Sequence, residues 1–490
     1  MLRIPLAILI AALLSRAVGP EGVGQWAMVI AVGVFFHALF LGWTQAQAVR
    51  IGRVEWLNHG ALSRTWAARW PFVASGLVVA AILLAVQPLS FFERTTQLPV
   101  SWWPIALAYL LGTWCVSEAQ ISMQTTGRFT YLALFPLAQD IASVGLLLYV
   151  LAWAPDLGAV RILSGIAALT LVFGGAVWVG EFVSTRSWGG RASSKDVRQI
   201  AIYGGPVALA AMMGFLSDWG DHFLLQHFHG PDQVGLFQVG YQAMMAMMAL
   251  AVPVGLIFLP KLVDQSRHDP RAEEDYVRGT VPAVITFWLL ALVPCIAVVP
   301  SLFLLVFGPK FHAAQPLLLV LSIAVPGAIF SYVYSVLFNT QGRSVRPALY
   351  VGAMAIINLL LSLALVPRMG ALGAAAGTAV SYVLVQALYM ADQHRHLSMP
   401  MGASGGLFLL AIAYGVLQWV AGDGLLIRLG LAIVFISVLV AISRRFRLTR
   451  AVVVRQLLPP GLSRVGAFFD RLLSGDRPVG RTVDSRQSAP

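Results

Sequence analysis

Apolar stretches of roughly 20 residues recur along most of this chain, and that recurrence constrains the fold more than any motif does. A stretch of that length crosses a bilayer as an α-helix. Inside hydrocarbon each backbone N–H and C=O has to find its partner within the protein, which favours helices or a closed barrel. Of the 490 residues 58% are hydrophobic and 11% charged, against about 25% charged in a soluble domain. The expected fold class is therefore an all-α polytopic membrane protein with about 14 transmembrane helices. The spans read at 4–18, 24–48, 70–90, 101–122, 130–153, 161–183, 200–228, 234–259, 280–307, 313–338, 347–367, 372–391, 403–421 and 427–443. The first is short. It carries one early arginine, Arg3, and has no small-residue cleavage site before the following turn, so it reads as a span and not as a cleaved signal.

The net charge of +12 does not form one basic patch, so nucleic acid is not an expected partner. The basic residues lie between the spans and follow their alternation. With the N-terminus inside, 27 of the 33 Lys and Arg fall on the inner side and 6 on the outer. The positive-inside rule then places both termini in the cytoplasm. The outer residues are Arg16, Arg94, Arg161, Lys310, Arg368 and Arg428, and all outer loops are short. The inner stretch 261–279 has mixed charge and reads as a solvated turn or short surface helix. After Arg444 the tail begins RRFRLTRAVVVRQLL. Its basic and apolar residues at helical spacing predict an interfacial helix on anionic lipid, ahead of a disordered end. Cys115 and Cys295 both lie in apolar runs, with no metal-ligand spacing around them, so neither a disulfide framework nor a metal site is expected. No cofactor is expected either.

The phrase GPEGVGQW at 19–26 returns as GPDQVGLF at 230–237, an offset of 211. A second pair, QTTGRFTYLALF at 124–135 and NTQGRSVRPALY at 339–350, repeats at an offset of 215. That second offset also places Gly158 over Gly373. Two independent anchors at nearly one offset indicate an internal duplication. Six spans separate equivalent points, so the halves face the same way, in the parallel-repeat arrangement of some transporters, around a central cavity. The expected organisation is a first six-helix bundle at 1–190 and a second at 196–396. Two extra helices at 400–443 and a basic cytoplasmic tail at 444–490 follow. Met1 aligns with Met212, inside span 7, so either the first helix is short or the start lies upstream, and the reading leans to the second. Each phrase has its own local physics. Pro opens a helix whose first N–H needs no partner, and the acid next to it, Glu21 or Asp232, sits at the positive end of the helix dipole.

SRAVGPEGVGQW, DHFLLQHFHGPDQVGLF, LFNTQGR, the Asn358 region and PRMGALGAAAGT together resemble the motifs of Wzx-type polysaccharide flippases. These form part of the multidrug/oligosaccharidyl-lipid/polysaccharide exporter superfamily. The resemblance covers about residues 10–400. It departs from the family at His222, where Arg or Lys is common, at Phe237, where Tyr is usual, and in the short first span. It implies export or flipping of a lipid-linked glycan across the cell inner membrane, with a polyprenyl pyrophosphate as carrier. Membrane lipid and a polysaccharide polymerase or export machinery are the implied partners.

Ionisable residues inside spans are costly, so each is a functional candidate. Span 7 is richest, with Ser217, Asp218, Asp221 and His222. Asp221 lies nine residues before Gly230, ~13 Å along a helix, too deep for a short carboxylate to reach water freely. Asp218 and His222 stand four apart, and an Asp–His group can exchange a proton near neutral pH. These three are the ion-coupling candidates. Equally, they could form a polar cluster that satisfies a partner helix. The substrate-path candidates are Arg16, Arg128, Arg343, Glu118 and Asp140. Arg16 could attract a pyrophosphate or simply reach the interface; Arg128 and Arg343, repeat equivalents, could receive a head group or only set topology. His37 reads as a packing or hydrogen-bonding group, and Gly373 to Gly377 as close helix packing. Two other classes stand beside the flippase. A cation-coupled multidrug antiporter shares the architecture, but the GPE phrase and the basic candidates suit an anionic cargo better. A membrane-embedded glycan polymerase would need a sizeable outer loop and positioned catalytic groups, which the sequence does not present, so no enzyme activity is expected.

Overall fold

A computed structural model describes residues 3–85, 96–154, 156–269, 271–343, 345–422, 424–446 and 448, and among these no residue is in a strand. Helix α1 (Arg3–Phe36) passes through a π-helical turn (His37–Gly42) into α2 (Trp43–His59). It is followed by α3 (Ser63–Ala85), α4 (Trp103–Thr126), α5 (Phe129–Trp153) and α6 (Ala159–Ser184). Next come α7 (Ser194–His229), α8 (Pro231–Ala249), α9 (Val252–His268), the single turn α10 (Ala272–Asp275) and α11 (Val281–Phe307). The chain continues with α12 (Ala314–Leu321), α13 (Ala328–Thr340), α14 (Val345–Met369), α15 (Ala371–His396), α16 (Gly402–Val420) and α17 (Leu425–Phe446).

Helix covers part or all of every expected span. Among the described residues, eight helical stretches are long and apolar enough to cross a membrane, or nine when the bent pair Ser194–Ile202 and Val207–His229 counts as one span. Others are interrupted. Residues 250–251 separate α8 from α9, and 322–327 separate α12 from α13. In the second break a freed carbonyl finds a side-chain donor: Gln386 Nε2 donates to Ala324 O at 3.0 Å. The 261–279 stretch differs from its expected solvated turn. Its first part continues α9, and Ala272, Tyr276 and Val277 are buried. Arg94 and most of the tail, with its expected interfacial helix, lie outside the described residues.

The described residues fall into two compact units. One comprises Met1–Ala246, Pro300–Ser322 and Ala348–Val385; the other comprises Met247–Val299, Ile323–Pro347 and Gln386–Pro490. The first has an apolar core around Val32, Phe36, Leu41, Val73, Leu110 and Trp114. In the second, Arg428, read above as an outer loop charge, is fully buried in α17. Its Nη2 donates to Ile296 O at 2.6 Å, and its Nε donates to Gln418 Oε1 at 3.1 Å. The reason lies in α11: Pro300, four residues after Ile296, has no N–H to satisfy that carbonyl, and the arginine supplies one.

The repeated phrase adopts one conformation twice. Gly19 has φ 71° and ψ −177°, and Gly230 has φ 82° and ψ −178°, a backbone that other residues rarely take. The two copies also pack on each other reciprocally. A Cβ on Gly24 would lie 1.9 Å from Pro231 O, and a Cβ on Gly235 would lie 1.9 Å from Pro20 O. This is a local two-fold contact between the start of the second limb of α1 and the start of α8. The second anchor holds as well, because Gly127 and Gly342 both have positive φ. The third shifts: Gly373 lies inside α15, and the helix junction sits at Gly370, so the offset returns to 212.

Arg69 is one of the 27 basic residues that the sequence places on the inner side, between the second and third spans, but the structure buries it in α3, where 1% of its side chain is exposed. It makes a bidentate pair with Glu118 of α4, with Nη2 to Oε1 at 2.8 Å, and it also donates to Thr44 Oγ1 of α2. The pair ties three helices together inside the first unit.

Two outcomes follow from this packing. Gly24→Ala or Gly235→Ala has to displace a backbone carbonyl, costing about 1–3 kcal/mol or more. Each should lower the thermal unfolding temperature of the purified protein, whereas Gly145→Ala, where a Cβ meets open space, should leave it unchanged. An unshifted melt for both alanines would show that the reciprocal contact is absent. Glu118→Gln should cost about 3–5 kcal/mol by stranding buried Arg69, and the double change Arg69→Met with Glu118→Leu should recover most of that loss. Recovery is read by the same melt; a double variant as unstable as the single one contradicts the account.

Candidate functional site

The α7 candidates are brought together by sequence but separated by contact. Asp221 is 2% exposed, and its Oδ2 accepts from Asn358 Nδ2 of α14 at 2.9 Å and from Thr378 Oγ1 of α15 at 2.7 Å. Asn358 Nδ2 also reaches Ser217 O at 3.4 Å. Gly377 leaves the room that α15 needs here, since a Cβ would stand 2.8 Å from Ser362 Oγ. Four buried oxygens of this group, Asp221 Oδ1, Ser217 Oγ, Asn358 Oδ1 and Ser362 Oγ, have no hydrogen-bond partner among the described residues.

His222, with no exposed surface, turns the other way. Its Nε2 lies 2.5 Å from Gln238 Oε1 of α8, and its ring sits among Trp219, Phe237 and Tyr241. Asp218 is accessible and accepts from Tyr241 Oη at 3.1 Å. The expected Asp–His cluster is thus corrected. Among the described residues no hydrogen bond joins His222 to either aspartate. The i, i+4 spacing put Asp218 and His222 on one face, but α8 offered each a separate partner.

Next to this lies a cavity of about 380 Å³, formed by both limbs of α1, by α5 and by α8. Its polar lining consists of Arg3, Asp140, Gln238 and Gln242, and Trp26 stands in its wall. Arg3 Nε donates to Asp140 Oδ2 at 2.9 Å. Asp140, a substrate-path candidate near the middle of α5, therefore does line a chamber, already paired with a cation. Gln238 belongs to both features: it lines the cavity and holds His222.

The other candidates are engaged elsewhere. Glu118 is committed to Arg69. Arg16 closes the end of α11, with Nε donating to Val306 O at 3.1 Å and Nη2 to Leu305 O. Ser15 Oγ reaches Phe307 O beside it. Cationic donors suit the exposed carbonyls at a helix C-terminus. Arg128 pairs with Glu181 at 3.0 Å, and its repeat equivalent Arg343 pairs with Asp392 at 3.1 Å. Glu181 and Asp392 are themselves 211 residues apart, so the ion pair is written twice like the phrase. Arg346 adds a second cation to Asp392; the equivalent position in the first half is Tyr131. His37, in the π-helical turn, contacts Ser117 Oγ at 3.1 Å and Gln45 Nε2 at 2.9 Å, which bears out its reading as a hydrogen-bonding group.

Arg3, Arg69, Gln238, Gln242 and Thr378 are the site residues that sequence reasoning passed over. A signal existed for three of them. Gln238, Gln242 and Thr378 are polar residues inside apolar runs, as conspicuous in principle as His37. Arg3 and Arg69 gave none, because an arginine near a span end looks the same whether it faces water or turns inward.

The chain is 22% identical over 348 residues to a probable low-salt glycan biosynthesis flippase, Agl15, of Haloferax volcanii, covering 65% of this chain and 71% of that protein. Its fold is similar to lipid II flippase MurJ in an inward closed conformation, with TM-score 0.69 at 12% identity over 90% of this chain and 97% of the other. It is also similar to an inward-facing multidrug resistance MATE family transporter of the MOP superfamily, with TM-score 0.58 at 14% identity over 81% and 94%. Residues 1–264 match the polysaccharide biosynthesis protein family. More than half of the sequence carries that match, and the chain, a multi-pass helical membrane protein, belongs to this family.

Proposed function

We propose that this protein moves a lipid-linked oligosaccharide or polysaccharide precursor across the bacterial inner membrane for surface polysaccharide synthesis. The observation that carries the reading is a cavity whose mostly apolar lining carries four polar side chains, in a chain of a polysaccharide biosynthesis family. A chamber of this kind can shield a hydrophilic head group from hydrocarbon while its lipid tail remains in the bilayer. The carrier is a polyprenyl pyrophosphate, and a polysaccharide polymerase or export machinery takes the product. The two six-helix bundles, 1–190 and 196–396, rock about the reciprocal contact of the repeated phrases, with 400–443 as added helices. Both termini face the cytoplasm, as the bias of basic residues favours.

Asp221 is the ion-coupling residue in this proposal. One carboxylate oxygen is held by Asn358 and Thr378, and the second lies beside further buried oxygens without partners. The unpartnered atoms beside this carboxylate are all oxygens, which suits a proton or a hard monovalent cation. Accessible Asp218, bonded to Tyr241, offers the step between that group and water, and His222 passes the state of this region to Gln238.

In cells lacking the gene, lipid-linked repeat units should accumulate on the inner leaflet, inaccessible to a glycosidase added outside. Asp221→Asn should fail to relieve the accumulation, while the wild-type gene clears it. Repeat units reaching the outer face at normal levels without the gene would end the flippase reading. Topology has its own measurement. In a chain cleared of Cys115 and Cys295, Lys310→Cys should react with an impermeant maleimide in intact cells, and Arg191→Cys only after permeabilisation. The reverse pattern would invert the proposed orientation.

A further inference from the structure

The cavity holds an ionic pair but no net charge. Among the described residues, Arg3 and Asp140 are the only ionised groups in its lining, and they neutralise each other at 2.9 Å. A diphosphate needs cationic donors that are not already spent on a carboxylate. Asp140 would instead oppose it as a like charge close by. The other arginines singled out by sequence are also taken: Arg16 by carbonyls of α11, Arg128 by Glu181, Arg343 by Asp392. What the cavity does present is uncharged hydrogen-bonding capacity. Gln238 and Gln242 stand four residues apart on α8, one turn along the same face; the Gln242 amide offers both donors and an acceptor, and Gln238 offers its NH2 beside the oxygen that His222 engages. Asp140 adds acceptor oxygens. Around these groups the wall is apolar, with Trp26, Ile10 and Ile30. Paired amides, a carboxylate and an apolar wall match a ring that carries hydroxyls at its edge and C–H groups on its faces.

We propose that this cavity is a saccharide subsite: it takes an uncharged, hydroxyl-rich sugar of the cargo, and the diphosphate stays outside it. The proposal rests on the glycan-flipping reading and specifies which part of the cargo this chamber reads. Gln242 is the specificity-determining residue, because its amide lines the chamber while that of Gln238 is held by His222. Through Gln238, a sugar in the chamber also touches the buried α7 group. A hydroxyl that competes for the Gln238 amide loosens its hold on His222, so cargo and coupling group share one side chain.

The test uses the full chain in lipid nanodiscs, with an array of uncharged oligosaccharides and with inorganic pyrophosphate as probes. Wild type should bind members of the array saturably, Gln242→Ala should weaken that binding about tenfold or more, and pyrophosphate should neither bind nor compete. Asp140→Asn should gain pyrophosphate binding, because Arg3 is then uncompensated. A gain of this kind cannot come from misfolding. Saturable pyrophosphate binding by wild type that Arg3→Gln removes would overturn the proposal, as would the absence of any bound oligosaccharide or the absence of the gain in Asp140→Asn. Any of these results leaves the flippase reading standing, since that reading is decided in cells by the side on which repeat units accumulate.

Discussion

The contact of Pro20 and Gly24 with Pro231 and Gly235 is the constraint around which the rest of the structure is arranged. Two backbones meet there without an intervening side chain, closer than any Cβ would allow. Without a hydrophobic driving force in lipid, helices associate through such close packing, and small residues are what permit it. The left-handed glycine before each proline sets the angle at which each helix leaves the turn. Since the two turns share one conformation, they present the same surface to each other. A self-complementary contact of that kind is isologous, as in a two-fold dimer, although here both copies lie in one chain.

The duplication is kept where geometry is needed and dropped where chemistry is needed. The reciprocal phrase, the left-handed Gly127 and Gly342, and the pairs Arg128 with Glu181 and Arg343 with Asp392 all appear twice. The buried ionisable groups appear once. Position 10, equivalent to Asp221, is Ile, and position 11, equivalent to His222, is Ala; both side chains line the cavity. In the other direction, positions 284 and 333, equivalent to Arg69 and Glu118, are both Val. Replacing a buried ion pair by packed apolar groups often costs nothing, so such pairs can be lost from one copy without penalty to the fold. The α7 group and the cavity therefore sit on opposite copies of the same helix position: where α7 carries charge, α1 carries small and apolar residues that open a chamber.

Most of the architecture was legible in the sequence. Apolar run length located the helices, and the GPE phrase foretold a duplicated turn, because length and glycine–proline order are local properties. The α7 cluster was found for the same reason, since a carboxylate in an apolar run is visible without a partner. What could not be read was pairing. Helical spacing places Asp218 and His222 on one face, but it says nothing of Gln238 and Tyr241 arriving from α8 to divide them. Nor does spacing separate an arginine at a water-facing turn from one turned inward. Arg69 and Arg428 both counted as loop charges, yet one is claimed by Glu118 and the other by a carbonyl that a proline sets free.

That last distinction bears on how positive charge is used. Arginines in and beside the spans look, in sequence, like a cationic lining for an anionic cargo. In the structure Arg69, Arg128, Arg343 and Arg3 are each paired with a carboxylate, while Arg16 and Arg428 answer unsatisfied helix carbonyls. An uncompensated guanidinium in hydrocarbon is expensive, and pairing removes that cost together with the field that would attract a phosphate. A carrier that neutralises its own arginines gives up electrostatic capture by its interior and keeps directional hydrogen bonds, which distinguish one sugar from another where charge cannot. Selectivity in such a chamber then depends on the two amides of α8 and on the carboxylate of Asp140.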